Sequence, residues 1–230
     1  MIKTVFLDLD DTILDFQLAE HKAIRSALAE VGVEPTDEVV ARYIEINRSC
    51  WAALERGELS REEVLTRRFE LLFEELGVEI SPSETQDTYA RLLGSCHKFL
   101  DGGEELLREF ESLGKYDLYI ASNGIYIVQE PRIRESGIAK YFKDIFISEK
   151  IGFNKPNVEF FESCFNKIKD FKRDEAIIVG DSLSSDIQGG INAGIRTCHF
   201  NPKGIEYKDI HPDYSISNLS ELIPLLDQIK

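Results

Sequence analysis

Positive charge is what this 230-residue chain lacks most: 27 lysines and arginines stand against 42 aspartates and glutamates, a net charge of −15. That imbalance excludes nonspecific nucleic-acid binding, because a phosphate backbone must be met by Lys and Arg. It leaves room for a small anionic ligand, whose binding depends on the local field of a cleft. Cysteine is scarce as well. Cys50, Cys96, Cys164 and Cys198 include no CxxC pair and match no zinc spacing, so reduced, mostly buried thiols are expected. His21, His97, His199 and His211 are scattered, form no metal pattern and read as surface or core-edge positions. No apolar run approaches the length of a bilayer span, and no secretory h-region with a cleavage site is recognisable. The expectation is a soluble, cytoplasmic protein with a monomer as the default state and a dimer as the alternative. Internal repeats and low-complexity segments are absent too.

What is present begins with the apolar fraction of 43%, enough for a sizeable core in one domain, or in one domain with an insertion. Val5, Phe6 and Leu7 form a continuous apolar run, as in a parallel strand buried on both faces. The segment Asp8-Leu9-Asp10-Asp11-Thr12 then crowds three carboxylates where that strand ends. In an open α/β sheet the carboxyl ends of the strands are where ligands bind. Like charges gathered there call for a cation, a raised pKa or solvent, and a divalent metal with oxygen ligands is the simplest answer.

A long helical stretch follows. Ala19, Ala23, Ala27 and Val31 recur at helical spacing, Val39 to Leu54 carries a second apolar stripe with Trp51 on it, and Val64 to Leu76 a third. Trp51 reads as core of that stripe. Ser60 and Glu63 have capping-box spacing, and Ser81-Pro82-Ser83-Glu84 opens a fourth helix. Four helices without an intervening strand predict a bundle rather than a βαβ crossover. From residue 100 helix and strand alternate, with strands expected at 117–121, 144–147, 176–179 and 197–200, the signature of a doubly wound parallel sheet. The fold class is therefore α/β: a Rossmann-like core of residues 1–14 and 99–230, with a helical-bundle cap of residues 15–98 inserted after the first strand. Pro131 is expected to delay its helix so that it starts there.

The remaining polar signals also follow predicted strands. Ser122-Asn123-Gly124 succeeds one, Gly180-Asp181-Ser182 another with Asp186 five residues on, and Lys155-Pro156 precedes the helix leading into it. A strand-terminal Asp pair alone is common turn or capping chemistry; several such signals converging on one sheet edge describe a cleft. A carboxylate can attack phosphorus to form an aspartyl phosphate. Its charge repels an anionic substrate, so Mg²⁺ must bridge them, with Asp8 and Asp181 as suitable oxygen ligands. Lys155 is the candidate to balance phosphate charge, Ser122 and Asn123 to hold the transferring oxygens, and Asp10 to serve as general acid and base.

These motifs, in this order, resemble the haloacid dehalogenase superfamily. Asp8-Leu9-Asp10-Asp11-Thr12 matches its first motif, Ser122 its second, Lys155 its third, and Gly180-Asp181 with Asp186 its fourth; the helical insertion resembles its C1-type cap. The resemblance implies Asp8 as nucleophile and Asp10 as acid/base, with the Asp10 backbone carbonyl also on Mg²⁺. It implies Asp181 as a direct metal ligand, and Asp186 as a partner that reaches the metal through water or stands behind its ligands, and that also orients Lys155. Asn123-Gly124, Gln129, Arg132, Ser136-Gly137-Ile138 and Ser148-Glu149 resemble more narrowly the pyrimidine-nucleotide 5′-nucleotidase branch. The expected activity is Mg²⁺-dependent hydrolysis of a small phosphorylated metabolite, a nucleoside 5′-monophosphate above others. Phosphoglycolate or sugar-phosphate phosphatases, a sugar-phosphate mutase, a metal-independent dehalogenase and a non-catalytic binding module are the alternatives.

Overall fold

The computed structural model describes residues 1–229. Six strands, β1 (Thr4–Leu7), β2 (Asp117–Ser122), β3 (Asp144–Ile147), β4 (Ala176–Gly180), β5 (Arg196–Phe200) and β6 (Tyr214–Ile216), form one parallel sheet in the order β3-β2-β1-β4-β5-β6. The chain thus enters at the centre and winds outward both ways. The strands alternate side chains between two apolar layers, as a sheet covered on both faces requires. Val5, Leu7, Leu118, Ile120, Ile177 and Val179 pack into one cluster. Phe6, Tyr119, Ala121, Phe146 and Ile178 pack into the other.

Four helices lie between β1 and the rest of the sheet: α1 (Phe16–Glu30), α2 (Asp37–Glu55), α3 (Arg61–Leu76) and α4 (Pro82–Gly94). The remainder are α5 (Gly103–Leu113), α6 (Tyr126–Glu135), α7 (Ser148–Ile151), α8 (Val158–Phe165), α9 (Gln188–Ala193) and α10 (Leu222–Gln228). Helices α1 and α4 pack together, as do α2 with α3 and α3 with α4. Their shared apolar cluster runs from Ala19 to Leu93 and takes in Ile125, just before α6, and Val128 within it, so the bundle sits on the carboxyl edge of the sheet. Two chain passages join bundle and sheet. Asp15 N–H donates to the Lys98 carbonyl and Leu100 N–H to that of Ile13, both at 2.9 Å. Away from these passages Arg61 donates to Ser148 Oγ (2.6 Å) and to Asn154, and Ser184 Oγ donates to Glu55 at 2.7 Å. No described helix is long and apolar enough to cross a membrane.

The structure corrects the expectation for Pro131. Helix α6 begins at Tyr126 and carries Pro131 in its interior. Proline there removes one backbone hydrogen bond, to the carbonyl of Ile127. Helix α4 packs against α6 at that point: even a Cβ built on Gly94 would make ordinary contact, 3.6 Å from the Ile127 carbonyl oxygen and 3.7 Å from Pro131 Cγ. Packing against α4 thus offsets the lost bond, and the helix continues through the proline.

Candidate active site

The ends of three adjacent strands, β2, β1 and β4, carry the charged groups. Asp8 follows β1 and its N–H donates to the Val179 carbonyl at 2.9 Å, so its backbone is held by the sheet while its side chain leaves the edge. Ser122 closes β2, and Asp181 follows Gly180 at the end of β4. Lys155, 1% exposed, comes from the loop between α7 and α8. Its Nζ donates to Asp8 Oδ1 at 2.6 Å, to Asp186 Oδ1 at 2.5 Å and to the Ala121 carbonyl.

The side chain of Asn123, expected beside phosphate oxygens, pins this lysine instead. Its Oδ1 accepts from Lys155 N at 2.8 Å, and its Nδ2 donates to the Lys155 carbonyl at 2.9 Å and to Ser185 Oγ at 3.1 Å. The backbone N–H of Asn123 is the group left for a ligand oxygen. Ser122 Oγ accepts from Gly124 N (3.1 Å) and Gln129 Nε2 (2.9 Å). With both lone pairs engaged, its hydroxyl proton remains to donate.

Asp8, Asp181 and Asp186 each offer an oxygen within 4.8 Å of the others. Asp186 is tied on both sides, through Lys155 and through Ser182 N at 3.1 Å. It is presented by a π-helical turn, Leu183–Ile187, a local widening common at functional sites. Gly180 is required beneath it, since a Cβ there would overlap the Asp186 carboxylate. Burial, then the charges of Asp8 and Asp186, push the Asp181 carboxyl up to about 9. Burial also raises Asp8, against the pull of Lys155. Burial works against the Lys155 charge, but Asp186 and Asp8 outweigh it and hold its pKa above the usual lysine range. Two buried carboxylates, Asp8 and Asp186, and the half-buried Asp181 thus face one ammonium, all the donor atoms are oxygens, and the carboxylate of Asp181 accepts no hydrogen bond among the described residues. This donor set and charge deficit fit Mg²⁺.

Asp10 turns away from this cluster. Its Oδ2 accepts from Gln129 Nε2 at 2.7 Å and its Oδ1 from Arg132 Nη1. Arg132 also donates to Gln129 Oε1 at 2.8 Å and, through Nε, to the Cys96 carbonyl at 2.9 Å. Gln129 and Arg132 lie three residues apart on α6, on the face turned inward, and Gly124 leaves the space the Gln129 amide occupies. Asp11 holds a positive φ of 54° and caps α1, its Oδ1 accepting from Phe16 N at 3.0 Å. His199, expected at the surface or core edge, is buried; its Nε2 donates to the Asp181 carbonyl at 2.9 Å, fixing the turn that presents that carboxylate.

These groups open into a cavity of about 240 Å³ between sheet edge and bundle, reached by Asp8, Asp10, Ser122, Asn123, Lys155, Asp181 and Asp186. Its far wall is apolar. Trp51, expected in the bundle core, packs against that core and also lines the cavity with Phe16 and Leu65. Tyr43 is enclosed in the bundle.

Carboxylates and a lysine gathered at the switch point of a doubly wound parallel sheet, under a helical roof, mark a cleft for a ligand. The chain belongs to the haloacid dehalogenase-like hydrolase family, whose model matches residues 2–194. It is 39% identical to the HAD-hydrolase YfnB of Bacillus subtilis over 98% of this chain and 95% of that one. The magnesium-bound crystal structure of YfnB, which reveals interdomain movement, superposes with a TM-score of 0.93 over 98% of this chain and 99% of that one. The pyrimidine 5′-nucleotidase PynA of Streptococcus pneumoniae is 36% identical over 98% of this chain and 95% of its own. The pyrimidine 5′-nucleotidase YjjG of Escherichia coli is 30% identical over 96% of each.

Proposed function

We propose that the protein is a Mg²⁺-dependent phosphomonoesterase acting on a nucleoside 5′-monophosphate, with Asp8 as nucleophile. The observation that carries this reading is the pairing of Asp8 with Lys155. Lys155 holds Asp8 Oδ1 and leaves the second oxygen without a partner among the described residues, inside the cavity. That oxygen attacks phosphorus, forming the Asp8–phosphorus bond as the ester oxygen leaves. Asp10 gives the leaving oxygen its proton, then takes one from the water that cleaves the acyl phosphate and releases inorganic phosphate. Lys155, the Ser122 hydroxyl and the Asn123 N–H take the phosphoryl oxygens. Asp8, Asp181 and the Asp10 backbone carbonyl would hold Mg²⁺, with Asp186 acting through Lys155 or a water; the ion balances carboxylate and phosphoryl charge. Residues 15–98 act as a cap that excludes bulk water and reads the leaving group.

Two observations support a nucleotide. PynA and YjjG are named for pyrimidine nucleotides. The cavity wall of Phe16, Trp51, Leu65 and Leu93 suits a flat apolar ring better than phosphoglycolate or a bare sugar. The test is a Mg²⁺-supplemented screen of nucleotides, sugar phosphates and phosphoglycolate, run beside Asp8→Asn. Asp8→Asn is expected to lose at least ~10³-fold in kcat while keeping its circular dichroism spectrum and cooperative melt. Near-normal phosphate release by Asp8→Asn overturns the mechanism. Activity that survives chelation and releases halide points to dehalogenation.

A further inference from the structure

Four polar side chains lie buried in the bundle without a part in the chemistry above: Glu20, Asn47, Arg68 and Gln86. They form one relay. Asn47 Nδ2 donates to Glu20 Oε1 at 2.5 Å, Arg68 Nη1 donates to Asn47 Oδ1 at 2.6 Å, and Arg68 Nη2 donates to Gln86 Oε1 at 2.5 Å. The rings of Tyr43, Phe69 and Tyr89 surround the guanidinium, their centroids 5.9, 5.4 and 4.9 Å from its central carbon. A buried ionic network of this kind is weak as a source of stability, since apolar residues of similar volume often serve as well. Its placement indicates another role.

The Glu20 end is closed inside the bundle, whereas Arg68 and Gln86 line the same cavity as Asp8. Two donors at this end have no protein partner. Arg68 Nε–H is fully buried and unpaired, in a residue only 4% exposed. The Gln86 amide is oriented by Arg68, which takes its Oε1, so its NH₂ is the group left over. Burying the Arg68 N–H unpaired costs the folded protein, and a ligand acceptor removes that cost.

We propose that Arg68 and Gln86 recognise the leaving group by donating hydrogen bonds to the carbonyl edge of a pyrimidine base. The proposal rests on the phosphomonoesterase reading of this cavity. Its chemistry selects the ligand class. The unpaired groups on these two residues, Arg68 Nε–H and the Gln86 NH₂, are donors, so they suit carbonyl oxygens, which accept and do not donate. The apolar side chains flank the faces of a flat ring, and the donors meet its edge.

Gln86→Glu provides the test, because it keeps the oxygen that Arg68 needs and replaces the leftover NH₂ with an acceptor. Gln86→Met, which removes both, is the second variant should Gln86→Glu melt early. The readout is the ratio of kcat/KM for uridine 5′-monophosphate to that for ribose 5-phosphate, which shares the phosphoester but has no base. The wild-type protein is expected to favour the nucleotide, and either variant to lower the ratio at least ~10-fold, mainly through KM. A ratio unchanged in both folded variants assigns the relay to cap structure and overturns the proposal. A wild-type preference for ribose 5-phosphate overturns it while leaving the phosphomonoesterase intact. Hydrolysis of neither substrate brings down the underlying reading, and this one with it.

Discussion

Glu20 is the residue at which burial and charge conflict most openly outside the sheet edge. Burial pushes its carboxyl up to about 7, against the Asn47 hydrogen bond and the pull of Arg68 and Arg48, with Asp11 adding to the rise. In the unfolded chain the same group titrates near 4.5. A raised carboxyl pKa means that the folded state binds the extra proton between these values. Its favourable contribution is complete below about 4.5 and is lost as pH rises through about 7. Glu20→Gln fixes the neutral form. The variant is therefore expected to match wild type near pH 4.5 and to exceed it at pH 8, by up to about 3 kcal/mol. Thermal melts of both proteins across that range check this, and a difference that shrinks with rising pH contradicts it. The same residue marks a limit of sequence reading. Asp8, Asp181 and Lys155 are legible because each stands beside a strand or helix boundary whose apolar pattern is plain. Glu20, Arg68 and Gln86 sit in helices rich in exposed charge, where periodicity gives the apolar face but not which polar residue is drawn in beside it.

Among the elements, α6 brings the most to Asp10, and its sequence pattern is the least regular. Its proline argues for a late start, yet the helix, packed on α4, runs through it. That continuity puts Gln129 and Arg132 on one face, where they hold both oxygens of Asp10. In the sequence these two residues belong to a family pattern without a role. By contrast the Ser60–Glu63 capping box of α3 is formed as its spacing predicts, because both partners lie within one helical turn. Edge strand β6 has three residues, too short for any pattern to declare. Arg132 is a positioning residue whose planar fork reaches Asp10, Gln129 and the Cys96 carbonyl together, which one ammonium cannot reproduce. With Asp10 as the proposed proton carrier, Arg132→Lys is expected to lower kcat ~10-fold or more and to leave KM nearly unchanged, because it disturbs that carboxyl and not the cavity wall. Steady-state kinetics separate the two. A rise in KM alone would place Arg132 in substrate binding instead.

At the scale of the whole molecule the carboxylate cluster joins chain segments far apart in the sequence, since Asp8 follows β1 and Asp181 follows β4. An ion held between them would therefore brace the centre of the sheet, and global melting should report its binding. Without it, Asp181 weakens the fold. Its carboxyl is ionised in the unfolded chain at pH 7.5 but pushed up to about 9 when folded, so folding must take up a proton at a cost that grows with pH up to that value. Asp181→Asn removes that cost together with an oxygen ligand. In EDTA the variant should melt above the wild-type protein. On adding Mg²⁺ the order should reverse: at 100-fold above the dissociation constant, wild type gains about 2.7 kcal/mol, roughly 5–10 °C for a chain of this size, while the variant gains little. Differential scanning fluorimetry with and without Mg²⁺ measures all four melts. An equal Mg²⁺ shift in both proteins would remove Asp181 from the metal site, and a lower melt of the variant in EDTA would show that its charge is compensated within the fold.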